Sequence, residues 1–387
     1  MTATPQIATI VVAAGFAIAF VFGAVAARTN FCTMGAISDV VNMGHWGRMR
    51  MWILAMAVAI LGTTALVYSG QIDMTKSFYT RPGLIWLSYI VGGLLFGIGM
   101  TLASGCGNKT LIRIGGGSLK SIVVLLFLAA SAYMTLKGLF GVWRVAWLDP
   151  VAVDLGARGL AGQDLGSLAA PLLGIERRKA LAGLAAIVAL AMLAFVFKDR
   201  DFRASREHWI GGAVVGLVVV AGWYVTGHIG FGENPETLEN TYFATNSRTL
   251  ESMSFVAPAA FLLELLMLWS DKSLGLTFGI AAALGVVAGS LAYALASRRF
   301  RWEGFSSASD TANHMVGGIL MGVGGVTAMG CTIGQGITGI STLAVGSILA
   351  TLSIIAGCWA TLKYQYWKLE REESAPQVAG DLTSIRG

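Results

Sequence analysis

Apolar runs of about twenty residues, separated by glycines, arginines and short polar segments, follow one another through almost the whole chain. They lie near residues 7–27, 51–69, 83–102, 119–140, 180–197, 209–226, 274–296, 315–329 and 341–362. A helix rises about 1.5 Å per residue and a bilayer's hydrocarbon core is about 30 Å thick, so runs of this length read as membrane-crossing helices. The stretch 254–269, SFVAPAAFLLELLMLW, is short for a crossing and carries Glu264, so it reads as a half-helix or a tenth span. The pattern predicts an all-α integral membrane protein with about nine transmembrane helices. The opening MTATPQIATI lacks a cationic n-region and reads as the start of the first span rather than a cleaved signal.

Composition agrees with lipid as the solvent. Of 387 residues 55% are hydrophobic and 12% charged, against about 25% charged in a soluble domain. The net charge of +6 does not imply nucleic acid, because basic residues collect beside membrane spans and no aromatic-basic motif accompanies them. The four cysteines (Cys32, Cys106, Cys331, Cys358) and four histidines are scattered without metal-ligand spacing. No cofactor is expected.

Loop charge gives an orientation. KDRDFRASR at 198–206 holds four cations and SRRFR at 297–301 holds three, while 227–253 holds Glu233, Glu236, Glu239 and Glu251 against Arg248. The positive-inside bias places the first two in the cytoplasm and the third outside. Arg177, Arg178 and Lys179 then face outward against the rule, at the end of a long external loop, 141–178.

A repeat lies within this layout. Residues 92–106, GGLLFGIGMTLASGC, align without a gap on 317–331, GGILMGVGGVTAMGC, with eight of fifteen positions identical. By the assigned topology the two copies enter from opposite sides, which predicts two inverted repeats and re-entrant Gly-Cys loops meeting at the membrane centre. The expected organisation is a transporter domain over 1–365, with repeat one at about 7–140 and repeat two at about 209–362. A cytoplasmic tail follows at 366–387.

The first loop continues as SGCGNKTLIRIGGGSLK and offers Cys106, Asn108, Lys109, Thr110 and Arg113 among glycines. Donors and cations without a carboxylate suit an anion, although Lys109 and Arg113 also fit a plainer role as surface-seeking basic residues. The second, GCTIGQGITGIS, offers Cys331, Thr332, Gln335, Thr338 and Ser341, and its small residues also fit a helix-packing face. ARTNFCTMGAISD adds Arg28 and Cys32. Asp310 and His314, four apart, can meet on one helical face. Neutral thiols are weak donors and soft contacts, suited to a sulfur-bearing anion that must also be released. Cys358 sits in an unbroken apolar run and reads as packing.

The stretches RTNFCTMGAISD, SGCGNKTLIRIGGGSLKS and GGILMGVGGVTAMGCTIGQGITGIS resemble the YeeE/YedE family of bacterial sulfur-compound transporters, with a compatible span layout over nearly the whole chain. The resemblance implies inner-membrane uptake of thiosulfate or a related sulfur anion by an hourglass of two inverted halves. It implies that Cys32, Cys106 and Cys331 line a central path and pass the anion along by hydrogen bonds. It also implies a small TusA-like sulfur-carrier partner on the cytoplasmic side. Lys109, Arg113 and the exposed loop amides would offset desolvation, with Asn108, Gln335 and Arg28 as further contacts. The alternatives are a membrane thiol-dependent sulfurtransferase working through a persulfide, and a transporter of another sulfur or selenium compound.

Overall fold

The structure, a computed structural model, describes residues 3–234, 237–305 and 307–374. A bilayer core offers backbone groups no water, so apolar segments satisfy them internally as helices. The first are α1 (Ala3–Thr29), α2 (Thr33–Met43), α3 (Gly47–Tyr68), α4 (Trp86–Leu102), α5 (Gly107–Gly115) and α6 (Leu119–Lys137). A connecting segment carries the short α7 (Leu139–Trp143) and α8 (Leu165–Leu173). Then come α9 (Arg177–Phe197), the short α10 (Arg200–Ala204), α11 (Arg206–Tyr224), α12 (Val256–Met267), α13 (Phe278–Ala296), α14 (Ala308–Thr327) and α15 (Val345–Ser374). Two small antiparallel ribbons pair Gly83–Leu84 with Val153–Asp154 and Phe231–Glu233 with Asn240–Tyr242, and isolated bridges join Ser118 to Glu303 and Asp164 to Ala344.

Eight described segments are long and apolar enough to cross a membrane. Two of them contain a break: α1 with α2, and α4 with α5. The ninth expected run, 315–329, falls mostly in α14. That 20-residue helix opens on polar turns with Asp310 and His314 and presents glycines where the others present leucine, so it is less apolar than the eight. α12 has twelve residues, a rise of about 18 Å, too short to cross alone. Its buried Glu264 accepts from Lys137 Nζ and Tyr133 Oη of α6. α15 continues through Ser374, so the segment from 366 opens as helix. Glu236 and the tail from 375 lie outside the described residues.

Glycines set how the helices meet. α4 and α14 run antiparallel: a Cβ on Gly92 would stand 2.8 Å from Gly324 O, and one on Gly99 would stand 2.7 Å from Gly317 O. In the sequence repeat Gly92 corresponds to Gly317 and Gly99 to Gly324, so the contacts are reciprocal. The same exchange relates the flanking helices. Gly93 of α4 lies against Ala350 and Ser353 of α15, while its counterpart Gly318 of α14 lies against Val124 and Phe127 of α6. In lipid, such close backbone approach is what holds helices together, because apolar burial gives little extra drive there.

Connectivity gives the bundle two unlike ends. One gathers the α2–α3, α9–α11 and α13–α14 connections and is rich in cations. Several are paired there: Arg48 binds Asp39 through two nitrogens, Arg50 binds Asp199, and Lys120 Nζ lies 3.0 Å from Asp310. The opposite end carries 69–85, 138–176 and 230–255. Here Arg177, which breaks the positive-inside pattern, donates to the fully buried Asp164 (2.9 Å) and to Ser167 Oγ (2.7 Å). Its charge therefore serves an internal ion pair. Asp164 and Gln163 also hold the connecting segment to 343–346: Leu165 N–H donates to Leu343 O, and Gly346 N–H donates to Gln163 Oε1.

Candidate functional site

Three helices stop inside the bundle in the same way. α1 ends at Asn30, α4 at Ser104 and α14 at Met329, each in the left-handed region with φ of 51°, 56° and 58°. The next residue then closes the helix by donating five residues back, from Phe31 to Ala26 (3.1 Å), Gly105 to Met100 (2.8 Å) and Gly330 to Gly325 (2.7 Å). This is the six-to-one bond of a Schellman stop, which satisfies end carbonyls that water cannot reach. Asn tolerates this conformation, whereas for Ser104 and Met329 it costs about 1–2 kcal/mol.

In every case the residue after that closing donor is a cysteine: Cys32, Cys106 and Cys331. Each begins the next structural segment, α2, α5 and the turn leading to a π-helical stretch at Gly334–Gly339. Two thiols occupy the capping position, with Gly35 N–H donating to Cys32 Sγ and Gly334 N–H donating to Cys331 Sγ, both at 3.4 Å. Each sulfur lone pair is thereby engaged while its S–H remains a donor. Cys106 differs, because its thiol donates to Asn108 Oδ1.

The breaks converge. Cys32 and Cys106 come within interaction range of each other, and Thr332 Oγ1 lies beside the Cys106 thiol. Residues far apart in sequence thus meet in one buried junction, with Cys106 and Cys331 fully covered and Cys32 6% exposed. On the cation-rich side, Lys109 and Arg113 add their positive charges near Cys32, and Lys109 Nζ donates to Asn30 Oδ1 (3.5 Å). On the opposite side a cavity of about 380 Å³ reaches Met329 and Gly330, just before Cys331. Its walls include Tyr79, Arg81, Asn246, Glu251 and Ser254. Burial raises the Tyr79 phenol well above its usual range, and burial also lifts Glu251, although hydrogen bonds from Ser247 oppose it.

Of the residues singled out from sequence, Cys32, Cys106, Asn108, Lys109 and Arg113 stand together at or beside the junction, and Cys331 adjoins it through Thr332. Arg28 is elsewhere, largely exposed and 3.6 Å from Glu207. Gln335 is fully buried but turned onto its own loop, its Nε2 donating to Ala328 O (2.6 Å) at the end of α14. His314 Nδ1 lies 3.0 Å from Asp310, which also binds Lys120, so this pair ties α14 to α6. Cys358 Sγ lies 3.3 Å from Thr101 Oγ1 on the α4–α15 seam. Thr33 was not singled out from sequence, Thr332 was one of several donors in the second Gly-Cys loop, and Trp52 was not singled out. The first two sit directly after cysteines, a signal available in the motifs. Trp52 lies in an ordinary apolar run, and only its contact with Gly336 reveals it.

A family model described as sulphur transport matches residues 28–360. The chain is 27% identical over 349 residues to the thiosulfate transporter TsuA of Spirochaeta thermophila, covering 89% of this chain and 96% of that protein. It is 22% identical over 375 residues to the thiosulfate transporter TsuA of Escherichia coli, covering 93% and 96%. A shorter match, 30% over 94 residues, links 24% of the chain to 21% of the probable transporter YedE of Escherichia coli.

Proposed function

We propose, from the premise that this chain belongs to the sulphur transport family, that it imports thiosulfate or a closely related sulfur anion through the junction of its three interrupted helices. Membership carries the coarser statement: the chain is a multi-pass bacterial inner-membrane protein that transports a sulfur-containing compound. The finer reading rests on one observation, the convergence of Cys32, Cys106 and the Thr332 neighbour of Cys331 from three separate helix breaks.

The positive-inside bias assigns the cation-rich end to the cytoplasm. The anion then enters the cavity, meets Cys331, passes to Cys106 and Cys32, and leaves past Lys109 and Arg113. Moving a charge into a low-dielectric interior is prohibitive unless it is hydrogen-bonded or paired. Thiols and loop amides supply hydrogen bonds at the centre, and the two cations act electrostatically at the exit. Weak S–H donors keep each stop shallow, which conduction requires. The exchanged contacts of Gly92 with Gly324 and of Gly99 with Gly317 support two inverted repeats with re-entrant Gly-Cys loops. A TusA-like carrier at the cytoplasmic end would accept the sulfur compound there.

Uptake of radiolabelled thiosulfate into proteoliposomes, challenged with excess sulfate and sulfite, tests the reading. Accumulation blocked by thiosulfate and spared by sulfate is expected, with C106S and C331S each slower and no persulfide on either wild-type cysteine. A stoichiometric cysteine adduct that chases into product would contradict a hydrogen-bonded relay.

A further inference from the structure

We infer that four neutral donors left unpaired at the cysteine junction, on Thr33, Asn108, Thr332 and Trp52, are the groups that coordinate the transported oxyanion. This inference rests on the transport reading above, in which Thr332 enters only as the neighbour of Cys331, and gives these four residues a role there.

Each of the four is nearly or fully buried: Thr33 and Asn108 are 0% exposed, Thr332 1% and Trp52 3%. Thr33 Oγ1, Asn108 Nδ2, Thr332 Oγ1 and Trp52 Nε1 complete no hydrogen bond to an oxygen or nitrogen among the described residues, Thr332 Oγ1 having only the Cys106 thiol beside it. A buried donor without a partner is destabilising, and native interiors seldom tolerate it without a reason.

The helix breaks explain why these groups are free. Several buried threonines inside helices return their hydroxyls to the carbonyl four residues back, as Thr101 does to Gly97, Thr110 to Cys106, Thr226 to Gly222 and Thr327 to Val323, although Thr63 of α3 and Thr351 of α15 complete no such bond. Thr33 and Thr332 directly follow the capping cysteines, so no helical turn precedes them in register and that acceptor is missing. Asn108 spends its carbonyl oxygen on the Cys106 thiol, which leaves its NH₂ group uncommitted. Trp52 comes from α3, and its indole packs on Gly336 in the loop after Cys331, where a Cβ would stand 2.8 Å from Cζ2.

Two hydroxyls, an amide NH₂ and an indole N–H make a donor set with no fixed charge. The nearby orphan acceptor, Gln335 Oε1, is turned toward Gly339. Such a set matches a tetrahedral oxyanion whose oxygens take the N–H and O–H groups and whose soft sulfur faces the thiols. Neutral donors bind it less tightly than cations would, which suits passage over storage.

The test compares Thr332→Val, Thr33→Val and Trp52→Phe in the full chain, with Thr332→Ser as the conservative rescue. Radiolabelled thiosulfate uptake gives KM, and thermal unfolding in detergent gives Tm with and without thiosulfate. The expected result is a KM raised at least fivefold in both valine variants and severalfold in Trp52→Phe, with Thr332→Ser near wild type. Without thiosulfate the three variants should melt at or above the wild-type Tm, since each removes an unpaired buried donor, and their thiosulfate-induced rise in Tm should shrink. Wild-type KM in the valine variants, or a Tm that falls in step with uptake, would overturn the inference and leave the cysteine path standing. A wild-type protein that takes up no thiosulfate would remove the transport reading and this inference with it.

Discussion

After Cys106 the chain resumes as an α-helix bearing Lys109 and Arg113, whereas after Cys331 it resumes through a π-helical turn with no charged residue between Thr332 and Gly357. The approaches are nearly alike: glycines at matching positions, a left-handed residue at Ser104 or Met329, and a closing donor at Gly105 or Gly330. One backbone device has therefore been built twice and given different electrostatics. The lesson is that local backbone chemistry places the two thiols, while residues three to seven positions later set the charge around them. In the proposed path this asymmetry makes the Cys106 side the cationic exit and the Cys331 side a neutral entrance.

The largest expected effect comes from breaking what the two copies share. Gly99→Val and Gly324→Val each push a branched side chain against the partner's backbone, and overpacking of this kind costs about 1–3 kcal/mol or more. Both should lose folded yield and Tm to a similar degree, measured by size-exclusion chromatography and thermal unfolding. A large loss at one position with none at the other would break the equivalence.

Next in size is the removal of what differs. Lys109→Gln and Arg113→Gln should each lower thiosulfate uptake several-fold, and the double variant about tenfold, with a weaker dependence on ionic strength because fewer charges remain to be screened. Introducing a lysine by Gln335→Lys should not substitute for them, since Gln335 is committed to its own loop.

The smallest effect concerns the entrance. Burial raises the Glu251 carboxyl, so the folded state holds that proton more tightly than the unfolded chain does. The stability it contributes is fully present below the unfolded value, near 4.3, and is lost as pH rises through the folded value. Glu251→Gln should flatten this decline, seen as a Tm that falls less with rising pH, with the difference growing toward neutral pH.

Much of this was legible in the chain. Apolar runs exposed the spans because lipid demands them, and the ungapped match ending in Gly-Cys exposed two of the three breaks. α14 was harder to weigh, since its packing depends on glycine rather than on bulk apolar side chains. The ion pair that makes Arg177 acceptable links it to Asp164, thirteen residues away across a helix start, and no local pattern announces it. Arg28 shared a motif with Cys32 yet faces Glu207 at the surface, because the left-handed turn at Asn30 separates their environments. Gln335 looked like a binding group because its amide needs partners, and it finds one in the loop that carries it. Thr33 was passed over, and Thr332 was one donor among several, because the importance of both lies in a missing acceptor, which appears only once the breaks are built.

The account depends on Cys32 and Cys106 sharing one junction on the transport path. Mercuric ion, which bridges two nearby thiols, tests this directly in proteoliposomes holding the full chain. The account predicts a single bridged ion by mass spectrometry, lost in C32S and in C106S, together with arrested thiosulfate uptake that dithiothreitol restores. A bridged protein that still transports at the wild-type rate, or a wild-type chain that forms no Cys32–Cys106 bridge, would contradict it.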